Sequence, residues 1–138
     1  MIPYDFTLVN LIINYSGGQH YVTGFANGST IDAEKKSDKY TPHTGAKGDT
    51  SYAKNNDNSG TVKFKLMMTS PSNKVLNQLT QGDQTFNCQI VDANDSSKGK
   101  AGGSNCVILK GANFVRGAAI QDQEWTLGVP NMKIEYDY

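Results

Sequence analysis

Histidine, tryptophan, cysteine and net charge are all scarce in this 138-residue chain, which has two histidines, one tryptophan, two cysteines and a formal charge of +0. Each shortage excludes something. Thirteen basic residues balance thirteen acidic ones, so the basic excess of a dedicated high-affinity nucleic-acid binder is missing. His20 and His43 stand far apart, and no Asp, Cys or His spacing matches a metal centre. The stretch Gly45-Ala46-Lys47-Gly48-Asp49-Thr50 lacks the first glycine and the Gly-Lys-Ser/Thr order of a phosphate loop. No serine sits in a nucleophile-elbow pattern. The residues therefore carry no enzyme signature and imply no cofactor and no metal. Cys88 and Cys106 fall in separate expected strands and read as buried thiols. The opening Met1-Ile2-Pro3-Tyr4-Asp5 has no basic region and no small-residue cleavage site, so no secretion signal is expected. No apolar run approaches the roughly 20 residues of a membrane helix.

What is plentiful is Gly, Thr, Asn and Tyr, a composition of strands and turns. Residues 4–15 are apolar on both alternating faces. Phe6, Leu8 and Ile12 lie on one side, and Val9, Leu11, Ile13 and Tyr15 on the other. Such a strand is either central between two layers or covered by a partner chain. Ser16-Gly17-Gly18 is a turn signal, followed by expected strands at 20–25 and 29–34. Val62, Phe64, Leu66 and Met68 alternate with polar neighbours, which predicts a half-buried strand over 61–68. Pro71 suits the first helical position after a Ser70 cap, and Val75, Leu76 and Leu79 share a stripe. A helix is predicted over 71–81, ended by Gly82. Further strands are predicted at 84–92 and 104–110, and two more about Pro130-Asn131, with a polar loop at 93–103. Residues 111–123 show only weak alternation through Phe114 and Val115. Seven or eight strands and one helix predict a single mainly-β domain over 1–138, a small β-sandwich or barrel with one flanking α-helix.

Residues 35–60 are the least core-like part and are expected to form a long extended loop, a length that points to function or disorder. Charge is concentrated there. Residues 1–34 hold three acids and no Lys or Arg, whereas residues 35–65 hold seven lysines against three aspartates. Like copies stacked head to tail would meet with opposite charges. Tyr15, Tyr21, Tyr40 and Tyr52 offer stacking surfaces for single-stranded nucleic acid only if aligned with lysines, which the spacing does not require. They serve equally well at a protein interface.

Three segments, YDFTLVNLIINYSGG, NSGTVKFKLMMTSPSNKVLNQL and EWTLGVPNMKIEYD, together resemble the bacteriophage tail tube proteins, the phage structural proteins of long-tailed phages. The resemblance implies a structural virion protein and not an enzyme. It implies rings, hexameric in that family, that stack into a hollow tail tube through which DNA passes during ejection. It also implies sheath, baseplate or tail-tip and terminator proteins as neighbours, transient non-specific passage of double-stranded DNA, assembly in the host cytoplasm, and no membrane. On that reading, strands 4–15 and 61–68 line the lumen and join subunits, which places Val9, Leu11, Ile13, Tyr15, Lys63 and Lys65 at the oligomer interface. Lys36, Lys39, Tyr40 and Lys47 then mark contact between rings, and Tyr136 and Tyr138 pack against a neighbour. Two alternatives stay open: a tube subunit of a contractile secretion or toxin-delivery device, and a monomeric sandwich binding module using Tyr40, Tyr52 and Trp125.

Overall fold

The computed structural model describes residues 3–138. They form β1 (Val9–Tyr15), β2 (Gly18–Tyr21), β3 (Asp32–Lys35), β4 (Tyr40–Thr44), β5 (Thr50–Lys54), β6 (Gly60–Met67), α1 (Ser72–Gln81), β7 (Phe86–Asp92), β8 (Gly99–Lys110), β9 (Asp122–Val129) and β10 (Lys133–Tyr136). Eight strands make one antiparallel path, β2-β1-β7-β8-β9-β6-β3, with β10 added on β8. β4 pairs only with β5.

The path folds over at β8. The first half of β8 lies between β7 and β10, and its last residues, from Val107 to Lys110, pair with β9 instead. The opposite side closes through residues 22–26. The Val22 N–H donates to the Leu11 carbonyl at 2.9 Å, the Ala26 N–H to Lys65 at 3.0 Å, and the Met67 N–H to Gly24 at 2.8 Å. The chain thus steps from β1 onto β6, and two layers enclose one core. Leu11, Ile13, Phe86, Cys88 and Ile90 fill it from one layer, and Val62, Phe64, Leu66, Trp125, Leu127 and Val129 from the other. Each such side chain contributes roughly 1.5–3 kcal/mol on burial. The alternation read in 61–68 and in Trp125, Leu127 and Val129 is the face turned to this core.

Glycine is what lets β8 lie in the middle. A Cβ on Gly103 would stand 2.6 Å from the Asn131 carbonyl oxygen and 2.7 Å from Val129 Cγ1. Gly102 has φ +144° and would drive a Cβ into the Cys88 carbonyl. Residues 99–103 are therefore strand, not the loop their glycines suggested, because at Gly102 and Gly103 the neighbouring backbones leave no room for a side chain.

The helix spans Ser72–Gln81 and ends at Gly82 as expected, with Leu76 and Leu79 buried. Ser70 acts one position earlier than a usual cap. Its hydroxyl accepts the Ser72 N–H at 3.2 Å and also donates to the Thr23 carbonyl. Asn73 binds the helix to the β6–β9 layer: its Oδ1 accepts the Trp125 indole N–H at 2.9 Å and its Nδ2 donates to Met67 O at 2.9 Å. The first expected strand is shorter than read. Phe6–Leu8 form a 3-10 turn, because the Asp5 carboxylate accepts the Thr7 N–H and hydroxyl. Asn94 holds that turn in place, accepting from the Asp5 N–H and donating to the Asp5 carbonyl, both at 2.9 Å.

Two predictions test this framework. Gly102→Ala lowers the stability of the dispersed protein by about 2 kcal/mol or more, read as a shift of the urea midpoint; an unchanged midpoint would remove the close-approach argument. The second concerns His20, whose Nε2 lies 2.8 Å from Ser72 Oγ. Burial holds its imidazole below the ordinary 6.5. Protonation is harder in the folded chain than in the unfolded one, so stability falls as the pH drops below about 6.5. His20→Gln flattens the urea midpoint between about pH 6.5 and 5, above the carboxylate range.

Candidate assembly surface

Residues 36–59 form the connection from β3 to β6. Its root is fixed by side chains. Asp57 Oδ1 accepts the Ser59 N–H at 3.1 Å and the Ser59 hydroxyl at 2.7 Å, and Oδ2 accepts the Ser37 hydroxyl at 3.1 Å. The Ser59 hydroxyl above all holds the Asp57 carboxyl below its ordinary value. The Lys36 N–H donates to Ser59 O at 2.9 Å and the Asn55 N–H to Lys39 O at 2.8 Å, which continues the β3–β6 ladder toward the hairpin. Beyond the root, β4 and β5 pair in register from Tyr40↔Lys54 to Thr44↔Thr50, with every residue exposed. Tyr40 and Tyr52 meet edge to face at 6.5 Å, and the Lys39 ammonium lies 5.7 Å from the Tyr40 ring. The expected loop is thus a two-stranded hairpin that buries nothing of its own. An isolated two-stranded hairpin is marginal in water, and this one packs neither face on the core.

The residues singled out from sequence fall into separate places. Lys36, Lys39, Tyr40 and Lys47 are all exposed on the hairpin or its root. Leu11 and Ile13 are corrected: both are fully buried at 0 % exposure in the protomer's own core and have no surface to give a neighbour. Val9 and Tyr15 are half-buried and pack against that core. β1 and β6 do not form a hairpin pair. β1 lies between β2 and β7, and β6 between β9 and β3, in opposite layers. Lys63 and Lys65 do point away from the core, opposite Thr126 and Glu124. Tyr136 and Tyr138 are each 76 % exposed and meet edge to face at 6.2 Å. The four tyrosines considered as stacking platforms are dispersed between β1, β2 and the hairpin. Trp125 is buried, which removes it from any exposed aromatic patch.

A further exposed surface is apolar. Phe114 and Ile120 are 82 % and 60 % exposed on the connection from β8 to β9, an apolar arm, and Leu109 is 59 % exposed near the end of β8 just before it. The Arg116 guanidinium sits 3.9 Å from the Phe114 ring centroid. The available signal was several large apolar residues in a stretch with no helical or strand period.

Both cysteines are buried in the core. Burial pushes the Cys88 thiol up to about 12, and also raises Cys106. Both are thiols at neutral pH and poor nucleophiles. Among the described residues, no group of three His, Cys, Asp or Glu side chains is placed to hold a metal ion, and no helix is long and apolar enough to cross a membrane. What the surface offers is exposed strands, aromatic pairs and an apolar arm, which suits association.

A family model described as the bacteriophage PhiTE tail tube protein matches residues 1–122. In fold, the chain is similar to one from the tube-terminating cap of the anti-feeding prophage, with a TM-score of 0.60 at 13 % identity, covering 99 % of this chain and 93 % of that one. It is also similar to a chain of the PVC sheath/tube terminator of an extracellular contractile injection system, with a TM-score of 0.58 at 14 % identity, covering 97 % and 99 %. The Hcp1 protein from E. coli EAEC 042 matches with a TM-score of 0.51 at 10 % identity, over 94 % and 91 %. No curated protein matches the chain in sequence.

The hairpin root gives a direct prediction. Asp57→Ala speeds amide exchange at Lys36 and Asn55 several-fold, while exchange in β6 and β9 stays unchanged. Equal exchange at the root in both proteins would show that the carboxylate does not order it.

Proposed function

Because the chain belongs to the bacteriophage PhiTE tail tube protein family, we propose that its copies close into rings that stack as the inner tube of a contractile injection apparatus. The observation that carries this reading is the pairing of a family match over 1–122 with a protomer that keeps its hairpin outside its own core. The hairpin, with Lys36, Lys39, Tyr40 and Lys47, reaches the next ring. The exposed Tyr136 and Tyr138 meet a neighbouring copy, and Lys63 and Lys65 belong to the outer face of a layer that other copies extend. Sheath, baseplate and terminator proteins are its partners in the apparatus; related folds occur in a baseplate and in a sheath-tube complex. The protein is structural, and its localisation is the assembled particle.

Two versions of that apparatus fit. In an extracellular contractile injection system the tube stands free of a capsid, and the similar folds from such systems support this version. In a phage tail the tube conducts DNA, and the family description supports that one. Particles from producing cells separate the two: a capsid-bearing particle with DNA places the subunit in a tail, and a DNA-free particle in an injection system.

The purified chain, viewed by negative-stain microscopy across concentration, gives hollow rings or tubes of uniform width. Removing residues 38–58 leaves rings and blocks stacking. A strict 15.0 kDa species at every concentration, with no particles, would contradict the reading.

A further inference from the structure

Resting on that reading and deepening it, we propose that residues 107–120 of one copy dock into the groove between β3 and β10 of the next, making the ring joint a head-to-tail contact. The groove has a volume of about 300 Å³. Ile31, Ala33, Ile90 and Ile134 are its apolar lining, and Asp32, Asp92 and Glu135 its acidic lining against the single Lys100, with the Asp92 carboxylate already accepting from Asn94 and Ser97. Lys100 is already engaged, 3.5 Å from Glu135. Asp32 stands opposite Lys63 in the ladder yet forms no ion pair among the described residues. The groove is therefore apolar inside and acidic at its lip.

The arm is its complement. From Asn105 to Gln121 the chain carries Lys110 and Arg116 and no acidic residue. Phe114 and Ile120 supply the apolar body, and the Arg116 guanidinium over the Phe114 ring supplies a cation beside it. Apolar surface meets apolar surface, and a cationic arm meets an acidic lip.

One copy cannot satisfy itself. Gly99, Lys100 and Ala101 line the groove at one end of β8, and the arm leaves from Lys110 at the other. At about 3.3 Å per residue those ends lie at most roughly 30 Å apart, and they pair in different places, with β10 and with β9. The arm is tethered at both ends, by β8 and by β9, so its tip cannot double back that far. Donor and acceptor are different patches of the same surface, which makes the contact heterologous and able to close into a ring.

The test uses the full-length chain, with sedimentation velocity and negative-stain microscopy as readouts. The variant F114S/I120S has an intact groove but a defective arm. The variant D32R/I134E has an intact arm but a defective groove. Each needs a roughly tenfold or higher concentration than wild type to assemble. Mixed together, they form dimers and no rings, because one joint per pair survives. The charge pair gives a check that misfolding cannot imitate: R116E and D32R each weaken assembly, and R116E/D32R regains it. Circular dichroism and the thermal midpoint of each unassembled variant remain those of wild type. Wild-type rings together with unimpaired assembly of F114S/I120S overturn the joint alone. A wild-type chain that never assembles overturns the joint and the tube reading together.

Discussion

β8 belongs to two layers at once, and the architecture follows from that requirement. A strand flanked by β7 and β10 at one end and by β9 at the other must change partners midway. It does so where Asn105 adopts φ +56°, next to the glycines that let three backbones lie close. The same strand then delivers an apolar segment to one end of the molecule and lines a groove at the other. The core depends on this crossing too, since it brings the apolar face of β7 over that of β9.

The surface divides in a way the core does not need. The interior is closed, with no buried polar side-chain atom left without a partner among the described residues. Outside, the hairpin, the arm and the C-terminal tyrosines expose aromatic and apolar groups that the core does not use. Exposed strand edges invite pairing with other chains, and a tube-forming subunit turns that hazard into its method of assembly. The equal number of acids and bases, unevenly placed, favours contact between unlike ends of like copies.

Much of this was legible in the residues. Alternation gave β6 and the buried stripe of Trp125, Leu127 and Val129, and capping chemistry gave the helix within a residue. The mainly-β fold with one flanking helix follows from those elements. The errors share one cause: local rules assume that a residue's reason is local. Gly99, Gly102 and Gly103 read as a loop because glycine usually marks turns, but here each marks a neighbouring strand far away in sequence. Leu11 and Ile13 read as interface because both faces of their segment are apolar, and which face meets the core is settled by β2 and β7. The hairpin read as loop because a strand pair with no buried face has no hydrophobic period to detect. Phe114 and Ile120 stand exposed in a stretch that packs no face against the core, so no clear period marks them.

The central claim is that this protomer keeps specific segments outside its core for use between copies. Amide exchange by mass spectrometry, comparing dispersed with assembled protein, tests that claim directly. The account predicts that residues 40–54 and 107–120 gain protection on assembly, while β1, β6 and β7 exchange as slowly before as after. Protection gained in the core strands, with the hairpin and the arm still exchanging freely in the assembled form, would contradict it.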